Sequence, residues 1–227
     1  KLKKFYQGQV VFVTGGAGSI GSAVVQQLLE LGVKKVVCFD HSEYLTFQLD
    51  QKLKEAGVTR QRFVPVVGNI QDAAKVKQYL CQYQPTIVFH IAAYKHVYLM
   101  EENVSEAIKN NVIGTKIIAD SAIACGIKRF TFVSTDKVVN PESIMGSTKK
   151  LAEFYLQSLN SASTQFTIVR FGNVINSQGS VLPLFARQIK NNRYVTLTDK
   201  KMKRFFMSIR EAAQLVIQST AYDQRGG

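Results

Sequence analysis

Thr135, Asp136 and Lys137 place a hydroxyl, a carboxylate and an ammonium in succession, directly after the apolar run Thr131-Phe-Val-Ser134. Among unshifted groups only the carboxylate is a ready base at neutral pH, because a lysine is already protonated and a threonine is too weak an acid. Met145 and Lys149 follow four residues apart, so on a helix they project from one face. A thioether exchanges no proton, which leaves Lys149 as the polar member of that pair.

A second constellation sits near the start. In Val10-Val-Phe-Val-Thr-Gly-Gly-Ala-Gly-Ser-Ile-Gly21 an apolar β-branched run stops at a glycine cluster, and Ile20 opens a helical pattern. Gly15, Gly18 and Gly21 allow a tight turn, close approach of a ligand to the backbone, and packing of the helix on the strand. The helix N-terminus then offers N–H groups and a positive dipole end suited to a diphosphate. Asp40 lies nineteen residues beyond Gly21 and closes a second strand, where it can accept from a ribose 2′-hydroxyl. The ligand predicted is a dinucleotide, and Asp40 with Glu43 predicts NAD over NADP, since a 2′-phosphate would face like charge.

These groups need elements to hold them. Strands are predicted at Val10–Thr14, Lys35–Asp40, Phe63–Val67, Thr86–Ile91, Arg129–Ser134 and Thr167–Arg170. Helices are predicted from Ile20 to about Leu31 and at Tyr44–Ala56, Asp72–Gln82, Ser105–Cys125 and Ser147–Ser158. Strict alternation with continuously apolar strands gives an α/β fold, a Rossmann-type doubly wound parallel sheet covered on both faces, with ligands beyond the carboxyl ends of the strands. The marked residues fall at those ends. After Gly172 the texture changes to a loop, a helix near Leu182–Asn191, a short strand near Val195–Thr198 and a helix at Arg210–Tyr222. The expected organisation is a dinucleotide-binding domain at 1–172 and a partial, truncated substrate-binding region at 173–227.

The 227 residues are 46% apolar without a run of membrane-spanning length, which predicts a soluble globular chain. Cys38, Cys81 and Cys125 are odd in number and far apart in apolar surroundings, so they read as buried hydrophobes in a reducing compartment, with neither a disulfide nor a metal site. The net charge of +13 is scattered and lacks a basic-aromatic stripe, which favours an anionic nucleotide ligand over nucleic acid.

Thr14-Gly-Gly-Ala-Gly-Ser-Ile-Gly21, Phe39-Asp-His-Ser-Glu43, His90-Ile-Ala-Ala-Tyr-Lys-His-Val97, Ser134-Thr-Asp-Lys137, Met145-Gly-Ser-Thr-Lys149 and Arg170-Phe-Gly-Asn173 together resemble the extended short-chain dehydrogenase/reductases that act as nucleotide-sugar 4,6-dehydratases. The similarity is greatest to the polysaccharide-biosynthesis (CapD-like) group acting on UDP-N-acetylglucosamine, whose membrane-anchored members carry methionine where others carry a catalytic tyrosine. The resemblance spans nearly the whole chain.

It implies oxidation of a UDP-sugar at C4 by NAD, loss of water across C5 and C6, and return of the hydride to C6. Thr135, Asp136 and Lys137 would handle the hydroxyls and the C5 proton, Met145 would fill the tyrosine position, and Lys149 would hold the nicotinamide ribose. The cofactor would be bound by Gly15, Gly18, Ser19, Ile20, Gly21, Asp40, His41, Ser42, Asn69, Ile70, Ala92, Ala93 and Lys149. Lys95, Asn173 and Arg204 would meet the substrate. As plain readings, Lys95 and Arg204 are solvated charges, His96 is structural, and Asn69 caps a nearby helix.

The resemblance also implies a homo-oligomer built on the helices at Ser105–Cys125 and Ser147–Ser158. It implies a location in the cytoplasm or on the cytoplasmic face of the inner membrane, with anchoring through a segment absent from this trimmed sequence. The alternatives are a UDP-sugar 4-epimerase, which has no obvious use for Asp136 and Lys137, and a catalytically silent dinucleotide-binding regulator.

Overall fold

The computed structural model describes residues 1–159, 163–175, 177, 181–192, 194–196, 199, 201 and 203–222. The chain runs α1 (Leu2–Tyr6), β1 (Val10–Thr14), α2 (Ser19–Glu30), β2 (Lys35–Asp40), α3 (Glu43–Glu55), β3 (Phe63–Val67), α4 (Ala73–Tyr83) and β4 (Ile87–His90). It continues through α5 (Val97–Glu102), α6 (Val104–Ala107), a π-helical turn (Ile108–Gly114), α7 (Thr115–Ala124), β5 (Arg129–Thr135), a 3₁₀ turn (Asp136–Val138) and α8 (Ile144–Ser158). Last come β6 (Gln165–Phe171), β7 (Asn173–Val174), α9 (Val181–Asn192), β8 (Phe206–Met207) and α10 (Ile209–Ala221).

Six parallel strands form one sheet in the order β3-β2-β1-β4-β5-β6. Alternation along each strand divides the core. Val11 and Val13 of β1 face a cluster with Val24, Val25 and Leu28 of α2. Phe12 points the other way, into a cluster with Phe39, Leu80, Ile118, Phe130, Phe132 and Leu156. Burial on both faces is why these strands read as unbroken apolar runs. The strand order reverses between β1 and β4, and that switch point opens a crevice at the carboxyl ends of the strands.

Four features depart from the sequence reading. The helix expected over Ser105–Cys125 is broken by the π turn, which buries Asn110 and Asn111 and brings Gly114 against Ile70. A Cβ on Gly114 would lie 2.6 Å from the Ile70 side chain, so the wider turn is packed tightly around a glycine.

The cysteine reading is overturned in part. Cys38 is free and buried, but Cys81 and Cys125 form a disulfide with Cα atoms 5.3 Å apart. Their separation of 44 residues concealed the pairing; α4 and α7 pack side by side and bring the two together. In the chain-entropy account, closing such a loop is worth about 4 kcal/mol.

The strand expected near Val195–Thr198 is absent at 194–196, and positions 197 and 198 lie outside the described residues. Instead β7 pairs with β8, Asn173 opposite Phe206 and Val174 opposite Met207. Finally, α10 lies beyond residue 172, yet its Ala213, Val216 and Ile217 join the α2 core cluster. It completes a helical layer of the main sheet. Among the described residues no helix is long and apolar enough to cross a membrane.

Candidate functional site

The crevice is a cavity of about 800 Å³, toward the upper end of the range for ligand sites. Its floor is the glycine turn after β1. Gly15 has φ +64°, and a Cβ there would meet the Ala92 nitrogen at 2.7 Å. A Cβ on Gly21 would stand 2.0 Å from the Gly15 carbonyl oxygen, so only glycine lets α2 start this close to the turn. Gly18 is the N-cap and no side chain caps the helix, which leaves its positive end open to the cavity.

Asp40 is 5% exposed and works on both sides of this turn. Its Oδ2 accepts from the Ala17 N–H at 3.0 Å and its Oδ1 from the Ser42 N–H at 2.9 Å. The carboxylate thereby ties β2 to the glycine turn and still faces the cavity.

Of the predicted cofactor residues, Gly15, Gly18, Ser19, Ile20, Gly21, Asp40, His41, Asn69, Ile70, Ala92, Ala93 and Lys149 all line the cavity. Ser42 does not; its hydroxyl caps α3 by accepting from Leu45 N at 3.3 Å. Asn69 accepts from Gln71 N at 2.9 Å, and the N-cap of α4 is Asp72. The plain reading of Asn69 as a helix cap is therefore wrong.

Thr135, Lys137, Met145, Lys95 and Asn173 line the cavity with Lys149. The Lys137 ammonium bridges Asp136 Oδ1 at 3.0 Å and Asn173 Oδ1 at 3.4 Å, and the Thr135 hydroxyl donates to Asp136 Oδ1 at 3.0 Å. Asp136 itself is not part of the cavity wall, since its Oδ2 turns toward Gly172. Burial alone would raise its pKa, but hydrogen bonds from Lys137 and Thr135 outweigh burial and hold it below the ordinary carboxylate range. Arg204 also lies off the wall, exposed, with its guanidinium on the Lys203 carbonyl at 2.9 Å.

Met145 packs in a small apolar cluster with Met100, Ala107 and Tyr94. Lys149 is 3% exposed; its ammonium donates to the Val133 carbonyl at 2.7 Å and stands 3.8 Å above the Phe132 ring centre. Burial, partly offset by Glu153, pushes its pKa down to about 7. Burial likewise lowers Lys95, whose ammonium lies 3.4 Å from Ser177 Oγ, and burial together with Lys95 lowers His96.

Three residues given no role by the sequence reading shape the site. His90 is wholly buried with Nδ1 2.6 Å from Thr14 Oγ1 and Nε2 2.9 Å from Thr115 Oγ1. Thr115 donates its own proton to the Asn111 carbonyl at 2.7 Å. It must therefore accept from His90 Nε2–H, which makes Nδ1 the acceptor of the Thr14 hydroxyl. Asn111 clamps Tyr94 through the Tyr94 N–H at 2.8 Å and its carbonyl at 3.0 Å. Ser134 is buried on the cavity wall with a hydroxyl oxygen that has no partner among the described residues. No periodicity marks any of them, because they depend on the π turn and on cross-strand neighbours.

Burial, aided by the Lys149 charge, lowers the His90 pKa to about 3. The folded state refuses a proton that the unfolded chain takes up near 6.5, so His90 adds stability above that pH and loses it as pH falls toward 3. Acid unfolding followed by circular dichroism should therefore begin below about pH 6 and be shallower in His90→Gln.

With this geometry in place, the similarities can be set beside it. A family of polysaccharide biosynthesis proteins matches residues 11–227. The chain belongs to that family. CapD, a capsular polysaccharide biosynthesis protein of Staphylococcus aureus, is 43% identical over 220 residues, which cover 96% of this chain and 37% of CapD. The chain thus spans little more than a third of that relative. UDP-glucose 4-epimerase of Rickettsia rickettsii is 32% identical, covering 96% of this chain and 64% of the enzyme. The inverting UDP-N-acetylglucosamine 4,6-dehydratase of Campylobacter jejuni is 29% identical over 94% of this chain and 64% of its own length.

Among solved structures, Pen from Bacillus thuringiensis superposes with a TM-score of 0.90 at 35% identity, covering 96% of this chain and 67% of Pen. DesIV, a dTDP-glucose 4,6-dehydratase of Streptomyces venezuelae solved with NAD and TYD bound, shares the fold at a TM-score of 0.81 and 24% identity, over 92% and 70% of the two chains. The relatives similar to this chain thus include an epimerase and a dehydratase, two chemistries.

Proposed function

We propose that this chain is the catalytic region of an NAD-dependent nucleotide-sugar 4,6-dehydratase in polysaccharide biosynthesis, acting on UDP-N-acetylglucosamine. The residues present fit the cofactor: a glycine cradle that a Cβ would fill at Gly15 and Gly21, an uncapped helix end, and a carboxylate at Asp40. Bound NAD supplies a hydride acceptor for C4 and a hydride donor for C6. Gly15, Gly18 and Gly21 would face its diphosphate, Asp40 a ribose, and Lys149 the nicotinamide ribose.

The observation that favours dehydration over epimerisation is the Lys137–Asp136–Thr135 cluster, with Lys137 and Thr135 on the cavity wall. Epimerisation retains the C6 hydroxyl and needs no acid and base at C5 and C6. Dehydration needs both. A reaction in deuterated water followed by proton NMR separates the two, since dehydration should place solvent deuterium at C5 and epimerisation should place none.

NAD should bind more tightly than NADP, because a 2′-phosphate would approach the Asp40 carboxylate in a buried site. Calorimetry giving equal or tighter NADP binding would contradict this. We also propose that residues 173–227 contribute to substrate binding through Asn173 and Ser177, both on the cavity wall. Oligomers would form through the helical segments Ser105–Cys125 and Ser147–Ser158, the second of which presents Leu151 and Phe154, 53% and 55% exposed. A monomer at all concentrations in sedimentation would remove that part of the reading.

A further inference from the structure

Glu153 is 1% exposed, and a carboxylate so buried is costly unless it is paired. Its partner is Arg170 on β6, which grips it with two hydrogen bonds, Nε to Oε1 at 3.0 Å and Nη2 to Oε2 at 2.5 Å. One turn earlier on α8 stands Lys149, four residues from Glu153 and therefore on the same helix face.

The surroundings of Lys149 offer little else that is charged. From β5 it meets the Val133 carbonyl and the Phe132 ring. From β4 it faces His90, which is uncharged at neutral pH. The turn after β5 holds Asp136 and Lys137, and these are already paired with each other. Glu153, one turn away on the same helix face, carries a negative charge that favours the Lys149 ammonium, and that carboxylate is held by Arg170.

We propose that Glu153 and Arg170 are positioning residues that set the charge of Lys149 from behind, Glu153 favouring the ammonium and Arg170 holding Glu153 back from it. Their placement suits such a role. Neither Glu153 nor Arg170 lines the cavity, whereas Lys149 does. In the dehydratase reading, on which the functional side of this inference rests, the consequence is that nicotinamide-ribose binding weakens as pH rises through the Lys149 pKa.

The test reads Lys149 directly, through the pH titration of its ¹³Cε resonance in ¹³C-lysine-labelled protein, assigned by its loss in Lys149→Met. Glu153→Gln should move the midpoint down by roughly one unit and Arg170→Gln should move it up. A packing role alone would change thermal stability in both variants and leave both midpoints where they are. Midpoints that do not move, or that move in one common direction, overturn the proposal. If Glu153→Gln fails to fold, the direction in Arg170→Gln decides by itself. NAD affinity measured across the same pH range should follow the midpoint; if the protein binds no NAD, the dehydratase reading falls while the titration still judges the charge coupling.

Discussion

Asp136→Asn should lower dehydratase turnover by roughly two to four decades, the usual contribution of a positioned acid or base, while leaving NAD binding intact. The carboxylate is held ionised in the resting site and lies off the cavity wall, but Thr135 stands on the wall and donates to it. The C4 hydroxyl proton can therefore pass to the Thr135 oxygen as the Thr135 proton passes to Asp136. In the proposed reaction Lys137, on the cavity wall and no longer facing an anion once Asp136 is neutral, would pass a proton to solvent and take the C5 proton. Asp136 would then return its proton through Thr135 to the departing C6 hydroxyl, and the Lys137 ammonium would protonate C5 and recover a proton from solvent. Thr135→Val should share the loss, because it cuts the relay. Met145→Leu should keep most activity, since Met145 sits in an apolar cluster and supplies volume. Steady-state kinetics on the four proteins checks all of this; a fully active Asp136→Asn beside a dead Met145→Leu would refute the assignment.

Gly21→Ala should cost NAD affinity by roughly two decades or more, and stability by about 1 to 3 kcal/mol. The added methyl would have to occupy space 2.0 Å from the Gly15 carbonyl oxygen and 2.7 Å from the Gly16 Cα. Both are backbone atoms with no rotamer to yield, so α2 must move away from the turn and its N-terminus must leave the diphosphate position. Gly8→Ala is the control, because a Cβ there meets nothing within 4 Å. Its positive φ of +79° still carries a local backbone cost, but its NAD affinity should match wild type. Isothermal titration with NAD and thermal melts on both variants measure the contrast.

The six strands and the glycine turn were legible because their signals are local. An apolar run that stops at Gly15 needs no distant partner to be recognised, and Asp40 follows directly on the apolar stretch Val36-Val-Cys-Phe39. What escaped depends on neighbours far along the chain. The Cys81–Cys125 disulfide follows from α4 lying beside α7. The β7–β8 pairing joins segments more than thirty positions apart, each only two residues long, too short for any alternation to show. The π turn breaks the 3.6-residue repeat where Asn110 and Asn111 turn inward. Asp136 shows the same limit at the site: its position beside Thr135 and Lys137 was readable, but not that its carboxylate turns toward Gly172 and meets the cavity through its hydrogen bonds with Thr135 and Lys137.

The most direct test of the central claim is the mass of the sugar nucleotide after incubation of the protein with UDP-N-acetylglucosamine and NAD. The account predicts a product lighter by one water, with no net consumption of NAD. A product of unchanged mass whose C4 configuration is inverted would contradict it and establish the epimerase reading in its place.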